Sequence, residues 1–405
     1  MIRCILLLFV LLFSLNISAD RHKLKKVQLS YYGLIDIQHI TQTINRAILD
    51  LDGKKLILPD QPIDISNISI RGKSHFAIVG NKEYPITCKD FKICDCNDFD
   101  LSGLYIKGTK DKFTTFDIVG DCEFFKIHNC RFDSEKGKDG HNTFYGIHII
   151  TDTSKHNYGY HNSPRNFRVY NNEVENTRYD GILAHAYCSN FIIERNKIVG
   201  AECIGIESEG RLGGFKNTTV HSCKNAVIRN NSTLNCGDWG ILLMWTDNAK
   251  VYNNKCINSF GAFLSIGCTD LIVKNNIFEG RNKGFEISQE FFKVSNGINN
   301  HIMISGNIIK AKARADNRGV LDICHAKNVV VKKNTIMSLY RDKTAYVSLC
   351  SCQNIKIKRN VFLYNQQSLT YLVLKANLPS PENGIKVPEL DLKNIDCQKI
   401  TLKKM

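Results

Sequence analysis

Beyond residue 19 this 405-residue chain has no apolar run of twenty residues, which excludes a membrane-spanning helix. No cysteines are paired in the CxxC spacing of zinc sites. Basic residues outnumber acidic ones by 54 to 39, yet they form no recognition module for nucleic acid. Residues 1–19 differ from the rest: Arg3 precedes an unbroken apolar stretch from Ile5 to Leu15, and Ile17-Ser18-Ala19 offers a small residue for cleavage. That reads as a secretory signal peptide, too short for a comfortable span. Cys4 lies ahead of the apolar stretch rather than behind it, so a lipid anchor is not expected, and the chain is read as secreted (extracellular or periplasmic). Removing this leader leaves fifteen of the sixteen cysteines, an odd number that cannot all pair. Several fall at apparent core or corner positions (Cys130, Cys256, Cys324), where stacked free thiols are favoured over a disulfide framework.

What the sequence does have is a rhythm. Gly followed by alternating apolar residues recurs at Gly146-Ile147-His148-Ile149-Ile150, Gly181-Ile182-Leu183-Ala184-His185, Gly205-Ile206-Glu207-Ser208-Glu209, Gly240-Ile241-Leu242-Leu243-Met244, Gly261-Ala262-Phe263-Leu264-Ser265, Gly284-Phe285-Glu286-Ile287-Ser288 and Gly319-Val320-Leu321-Asp322-Ile323. Between these come apolar-x-apolar runs ending on Asn, such as Phe191-Ile192-Ile193-Glu194-Arg195-Asn196 and Leu271-Ile272-Val273-Lys274-Asn275-Asn276. A period of roughly 21 to 35 residues signals stacked supersecondary units. Each unit holds short strands whose alternate side chains face opposite ways, and stacking the units closes a continuous core. The fold class is therefore all-β: a single-stranded right-handed parallel β-helix over residues 28–378, with 379–405 as a tail or cap. The Asn that ends each run suits a left-handed corner, and such residues can stack into an amide ladder. Ahead of the repeats, Asp36 is the expected N-cap of a short helix starting at Ile37, with Ile40, Ile44, Ala47, Ile48 and Leu51 on its buried face and Gly53 as its stop. Such a helix would plug the open end of the stack.

The opening (Tyr32-Gly33, this helix, Leu56-Ile57-Leu58-Pro59 and Phe76-Ala77-Ile78-Val79-Gly80) and the repeated pattern after it resemble the right-handed parallel β-helix proteins of pectate-lyase-like type. The resemblance implies a three-faced solenoid that cleaves or epimerises polysaccharides in a groove along one outer face; the same fold also carries adhesins. The signatures of polygalacturonases are absent. Alginate epimerases carry Tyr-Gly-x-Asp-Pro-His where this chain reads Tyr145-Gly146-Ile147-His148-Ile149-Ile150, which puts epimerisation of that type in doubt.

The second and fourth residues after each Gly are expected to point outwards, which gathers His148, His185, Glu207 and Glu209 on neighbouring coils, beside Glu286, and also turns Phe263 and Ser265 outwards. His185 and Glu209 should lie one coil apart, at about 5 Å, and His148 and Glu207 two coils apart, at about 10 Å. The long insertions after these strands bring His156, Tyr158, Tyr160 and His161, then Arg211, Lys216 and His221, to the walls of a groove. A net charge of +15 on an exported chain fits an acidic polysaccharide as partner, with no nucleic acid, and the chain is expected as a monomer.

The first reading is a lyase acting on a uronate polymer. His185 or Lys216 would be the base, Tyr145 or His148 the acid, and Arg211 or a calcium ion held by Glu207 and Glu209 the group that neutralises the substrate carboxylate. No other cofactor is expected. A glycoside hydrolase using Glu207 and Glu209, with Asp180 and Asp238 in reserve and Trp239 in the groove, is the alternative. A non-catalytic carbohydrate-binding or adhesive solenoid is the third.

Overall fold

The computed structural model describes residues 24–36, 38–154, 159–210, 221–288, 298–311, 319–339, 347–364, 373–376, 395–398 and 401–404. The proposed signal peptide, and with it His156, Tyr158, Arg211 and Lys216, lies outside the described residues.

Every strand-to-strand pairing of the named strands is parallel, and consecutive coils stack in register into three faces. One coil shows the plan: Ser189–Glu194 on the first face, a corner, Lys197–Val199 on the second, a bend, and Ile206–Glu209 on the third. The first face is one fifteen-stranded sheet. The second and third are continuous, because the long strands Lys255–Ile266 and Ile277–Ile287 run round the bend between them. Strand pairing begins at Lys25–Gln28, and Ile395–Gln398 and Thr401–Lys404 add further strands to the first two faces at the other end. No helix among the described residues is long and apolar enough to cross a membrane.

Inside, alternate residues of all three faces merge into one apolar core. On the first face Phe76, Phe99, Phe125, Phe167 and Phe191 stack with centroids 5.3, 4.8, 4.8 and 5.0 Å apart and ring planes within 10° of parallel, spacings set by the distance between coils. The α-helix Ile40–Leu49 adds Ile40, Ile44, Ala47 and Ile48 to the same core and covers its end. It starts three residues later than the sequence pattern indicates. Asp36 accepts hydrogen bonds from the Gln38 and His39 amides, at 3.0 and 2.9 Å, and so caps the turn that precedes the helix; His39 occupies the N-cap.

The asparagine corners divide their labour. The residue in the left-handed region is the penultimate one of each run (Asn171, Arg195, Asn230, Asn253, Asn275, Lys333 and Arg359, with φ between 53 and 57°), whereas the final Asn points inwards. Asn172, Asn196, Asn231, Asn254, Asn276, Asn307, Asn334 and Asn360 form a buried ladder in which each Nδ2 donates to the next Oδ1 at 2.9–3.1 Å. The same amide donates to a backbone carbonyl one coil back, and each Oδ1 also accepts the backbone N–H of the Asn before it. At the upstream end Cys130 takes the ladder position, its N–H bonded to Asn172 Oδ1 at 3.0 Å. The fourteen cysteines from Cys88 to Cys352 are free thiols, thirteen of them buried.

The two Asn of one corner should therefore respond oppositely. Asn254→Ala leaves the Asn231 backbone N–H, one of the two Asn231 Nδ2 hydrogens and the Ile228 carbonyl unpaired in the core, and at about 1–3 kcal/mol for each orphaned group it should cost several kcal/mol. Asn253→Gly, at φ 57°, should change stability by about 0.5 kcal/mol or less. Urea unfolding checks both; comparable losses would refute the division.

Candidate functional site

The close stacking of coils requires glycine at the bend into the third face. A Cβ on Gly181 would lie 2.6 Å from the Gly205 carbonyl oxygen, and one on Gly205 would lie 2.5 Å from that of Gly240. Gly146, at φ 134°, would meet the Asp180 carbonyl oxygen at 2.0 Å, so its lack of a side chain lets Asp180 sit close over the strand Phe144–Ile150.

Beyond this bend two outward rows run along the face. In the first, Asp117, His148, Leu183, Glu207, Leu242, Leu264, Glu286 and Asp322 stack in register; in the second, Val119, Ile150, His185, Glu209 and Met244. His185 and Glu209 are thus register partners on adjacent coils, with Nε2 and Oε2 3.8 Å apart, and His148 and Glu207 are separated by Leu183 alone. One part of the pattern slips. Phe263 and Ser265 face the core and Leu264 faces out, because Gly261 pairs with Trp239 rather than with Gly240. Gly261 is there for another reason: a Cβ would lie 2.1 Å from the Trp239 ring.

The centre of the site is a pair of buried carboxyls. Asp180 and Glu207 hydrogen-bond to each other, and Asp180 Oδ1 also accepts the Ile204 N–H at 3.1 Å. Burial pushes Asp180 up to about 6. It pushes Glu207 well above the usual carboxylate range, with the charges of Asp180 and Glu209 acting in the same direction. Two desolvated carboxyls in contact cannot both ionise, so the pair keeps a proton near neutral pH. Glu207 is therefore bonded to Asp180, held in reserve by the sequence pattern, and its carboxyl is protonated; that does not suit the calcium site expected at Glu207 and Glu209, which needs ionised oxygens.

His148 is 7 % exposed, and burial lowers its pKa to about 3, leaving it neutral. Its Nδ1 is 3.8 Å from Asp117 Oδ1, and its Nε2 has no hydrogen-bond partner among the described residues. Asp117 is raised by burial to about 6. Tyr145 packs edge-on to His148 at 4.3 Å and against Tyr179 at 4.4 Å; Tyr179, on the surface, is open to a ligand.

On the far side His221 Nδ1 is 2.6 Å from the Tyr187 hydroxyl, and burial lowers its pKa. Tyr160 packs on Tyr187 at 5.0 Å, donates to the Ser222 carbonyl and lies under Lys224. His161 is exposed, and its carbonyl accepts from Arg165. Asp238 is exposed beside the pair, and its charge further raises Asp180.

Two expected groove residues are placed otherwise. Trp239 is buried in an apolar patch with Ile204, Leu242, Met244, Trp245, Leu264 and Ile266, since its neighbours in the outward rows are themselves apolar. Glu286 is 1 % exposed and ion-paired to the equally buried Lys283, so it is shut away from the acidic pair by that patch. Sequence reasoning missed Asp117, Tyr179 and Tyr187. Asp117 sits in an apolar-Asp-apolar alternation one coil ahead of Gly146, in a strand without the Gly signal.

The family model described as a right-handed β-helix region matches residues 213–317. Among solved structures, the A-module of the Azotobacter vinelandii mannuronan C-5 epimerase AlgE6 aligns at 13 % identity and a TM-score of 0.59, over 93 % of this chain and 99 % of that one. The A-module of the epimerase AlgE4 from the same organism aligns at 12 % identity and 0.57, over 93 % and 98 %. The Streptococcus pneumoniae surface adhesin PfbA aligns at 14 % identity and 0.52, over 86 % and 91 %. No relative is found among curated proteins. The fold is thus a right-handed parallel β-helix.

The proton held by the carboxyl pair has a measurable consequence. Unfolded, both carboxyls ionise near pH 4, whereas in the fold burial raises Asp180 to about 6 and lifts Glu207 well above its ordinary range. Between those values the folded chain binds more protons, so the pair's contribution to stability falls as pH rises. His148, with its lowered pKa, acts in the opposite sense below its ordinary 6.5, but equally in a variant that keeps it. Glu207→Gln removes the titration while its amide can still donate to Asp180. Its melting temperature relative to the parent should therefore rise between about pH 4 and pH 7; a pH-independent difference would contradict the shared proton.

Proposed function

We propose that the chain is a secreted carbohydrate-active protein that cleaves a polysaccharide lying along the third face, and that it does so by carboxyl chemistry. The observation that carries this reading is the proton-holding Asp180–Glu207 pair set two residues from Glu209 on one strand. A carboxyl kept protonated at neutral pH is suited to protonating a glycosidic oxygen as it leaves. Glu209 lies two residues further along the same strand face, about 7 Å away. With His185 beside it, Glu209 would take a proton from the attacking water, and that separation favours inversion of configuration. Tyr179 and Tyr145 offer ring faces at the edge for a sugar.

Lyase chemistry is the second reading, supported by the net charge of +15 and by a fold shared with epimerases whose substrate is named as mannuronan. It needs a cation opposite the uronate carboxylate. Arg211 and Lys216 lie outside the described residues, and the groups described around Glu207 are carboxyls, neutral imidazole and tyrosines. Epimerisation by an Asp–His pair has no support at His148 and Ile150.

Incubating the full chain with acidic and neutral polysaccharides, while following reducing ends and the ultraviolet absorbance of unsaturated uronate, tests this. New reducing ends without unsaturation are expected; unsaturated ends would replace hydrolysis with elimination, and binding without products would leave only a binding solenoid. Glu207→Gln and Glu209→Gln should each lower turnover about 100-fold or more. Full activity in both would place the chemistry elsewhere.

A further inference from the structure

Beyond the apolar patch the same outer wall carries a second cluster of chemistry-bearing side chains. Asp322 and Cys324 both project outwards from the strand Leu321–Cys324, and Cys350 is the register partner of Cys324 on the next coil. One carboxylate oxygen and the two sulfurs all lie within 4.8 Å of one another. The Cys324 thiol is 3.4 Å from Asp322 Oδ1. Ser348, opposite Asp322 in the register, donates to that oxygen at 2.6 Å and accepts the Gly319 N–H at 2.9 Å, which fixes the carboxylate. All four side chains are 5 % exposed or less.

We infer that Asp322, Cys324 and Cys350 bind a thiophilic divalent cation of the zinc class, with Ser348 and Lys283 as the supporting shell. The donor set argues for such an ion: two thiolates and one carboxylate suit zinc, while calcium requires oxygens alone. Charge bookkeeping agrees. Lys283 sits 3.6 Å from Asp322 Oδ2 and is ion-paired with Glu286, so with both thiols protonated the buried cluster carries one ammonium and two carboxylates. A divalent ion that displaces the two thiol protons leaves that net charge unchanged, so occupancy adds no uncompensated charge to the interior. The stacked pair Cys188 and Cys223 differs, for those thiols bond to backbone carbonyls at a corner of the core.

Cobalt(II) added to the reduced full chain under anaerobic conditions is the test. One equivalent should produce a thiolate-to-cobalt charge-transfer band, release two protons into weakly buffered solution and raise the melting temperature, with zinc then displacing the cobalt. Cys350→Ser should abolish the band, and Ser348→Ala should weaken binding ~10-fold or more while keeping it. Because the cysteine variant can fail to fold, proton release and the melting shift are read on the unaltered chain. Absence of the band there, a band that persists in folded Cys350→Ser, or a Cys324–Cys350 disulfide whose reduction gives no cobalt site would each overturn the inference.

Discussion

In-register stacking of coils is the constraint on which everything else rests, and the buried amide ladder fixes it. A one-coil solenoid could not bury its apolar face, so each coil borrows a floor and a ceiling from its neighbours. Apolar packing alone would tolerate sliding. The ladder does not, because each ladder Asn from Asn172 to Asn334 is tied by direction-specific bonds to the next, ending on Asn360, and to backbone carbonyls one coil back. A coil displaced by one residue would strand buried amides without partners. The register that places His185 beside Glu209 and Leu183 between His148 and Glu207 is thus held from the opposite side of the core.

The bend glycines complete that control. At Gly181 and Gly205 the next coil's carbonyl occupies the space of a Cβ, so adjacent coils approach closely where the second face turns into the third. At Gly146 the intruding carbonyl belongs to Asp180, which is how a residue before a strand, rather than on it, reaches the carboxyl of Glu207. Close approach excludes water, and the exclusion raises both pKa values.

Most of the architecture was legible in the sequence because its signal is periodic: the Gly runs, the Asn-ended runs and the amphipathic helix each report a local geometry repeated many times. The failures come where one residue type serves two ends. Gly261 matches the motif but clears a space for Trp239, and reading it as a bend glycine turned Phe263 and Ser265 to the wrong side. Paired Asn looked like one corner signal, although one Asn supplies a dihedral and the other a ladder. The site was half visible for a similar reason. Stacking arithmetic could align His185 with Glu209, but whether Glu207 meets Glu209 or Asp180 depends on how far one coil's bend leans over the next, which no spacing along the chain encodes. Asp117 lacked a motif altogether.

The outer wall also shows two ways to bury carboxyls, and the contrast separates their uses. Around Asp180 and Glu207 no ammonium is in contact among the described residues, so the charge is suppressed by a retained proton. Around Glu286 and Asp322 a fixed ammonium, Lys283, does the suppressing. A retained proton can be given up when a bound group offers a better home, and the half-buried Glu209 and surface Tyr179 leave that first cluster a way out to solvent. An ammonium locked between two fully buried carboxylates has nothing to transfer and nowhere to send it. The apolar patch of Trp239, Leu242, Met244 and Leu264 lies between the two clusters, and in the outward row Leu242 and Leu264 set Glu207 three register steps from Glu286. On the proposed reading, acid–base chemistry belongs to the coils of His148, Asp180 and Glu207, whereas the fixed charge and soft donors on the coils of Lys283 and Asp322 suit holding an ion better than moving a proton.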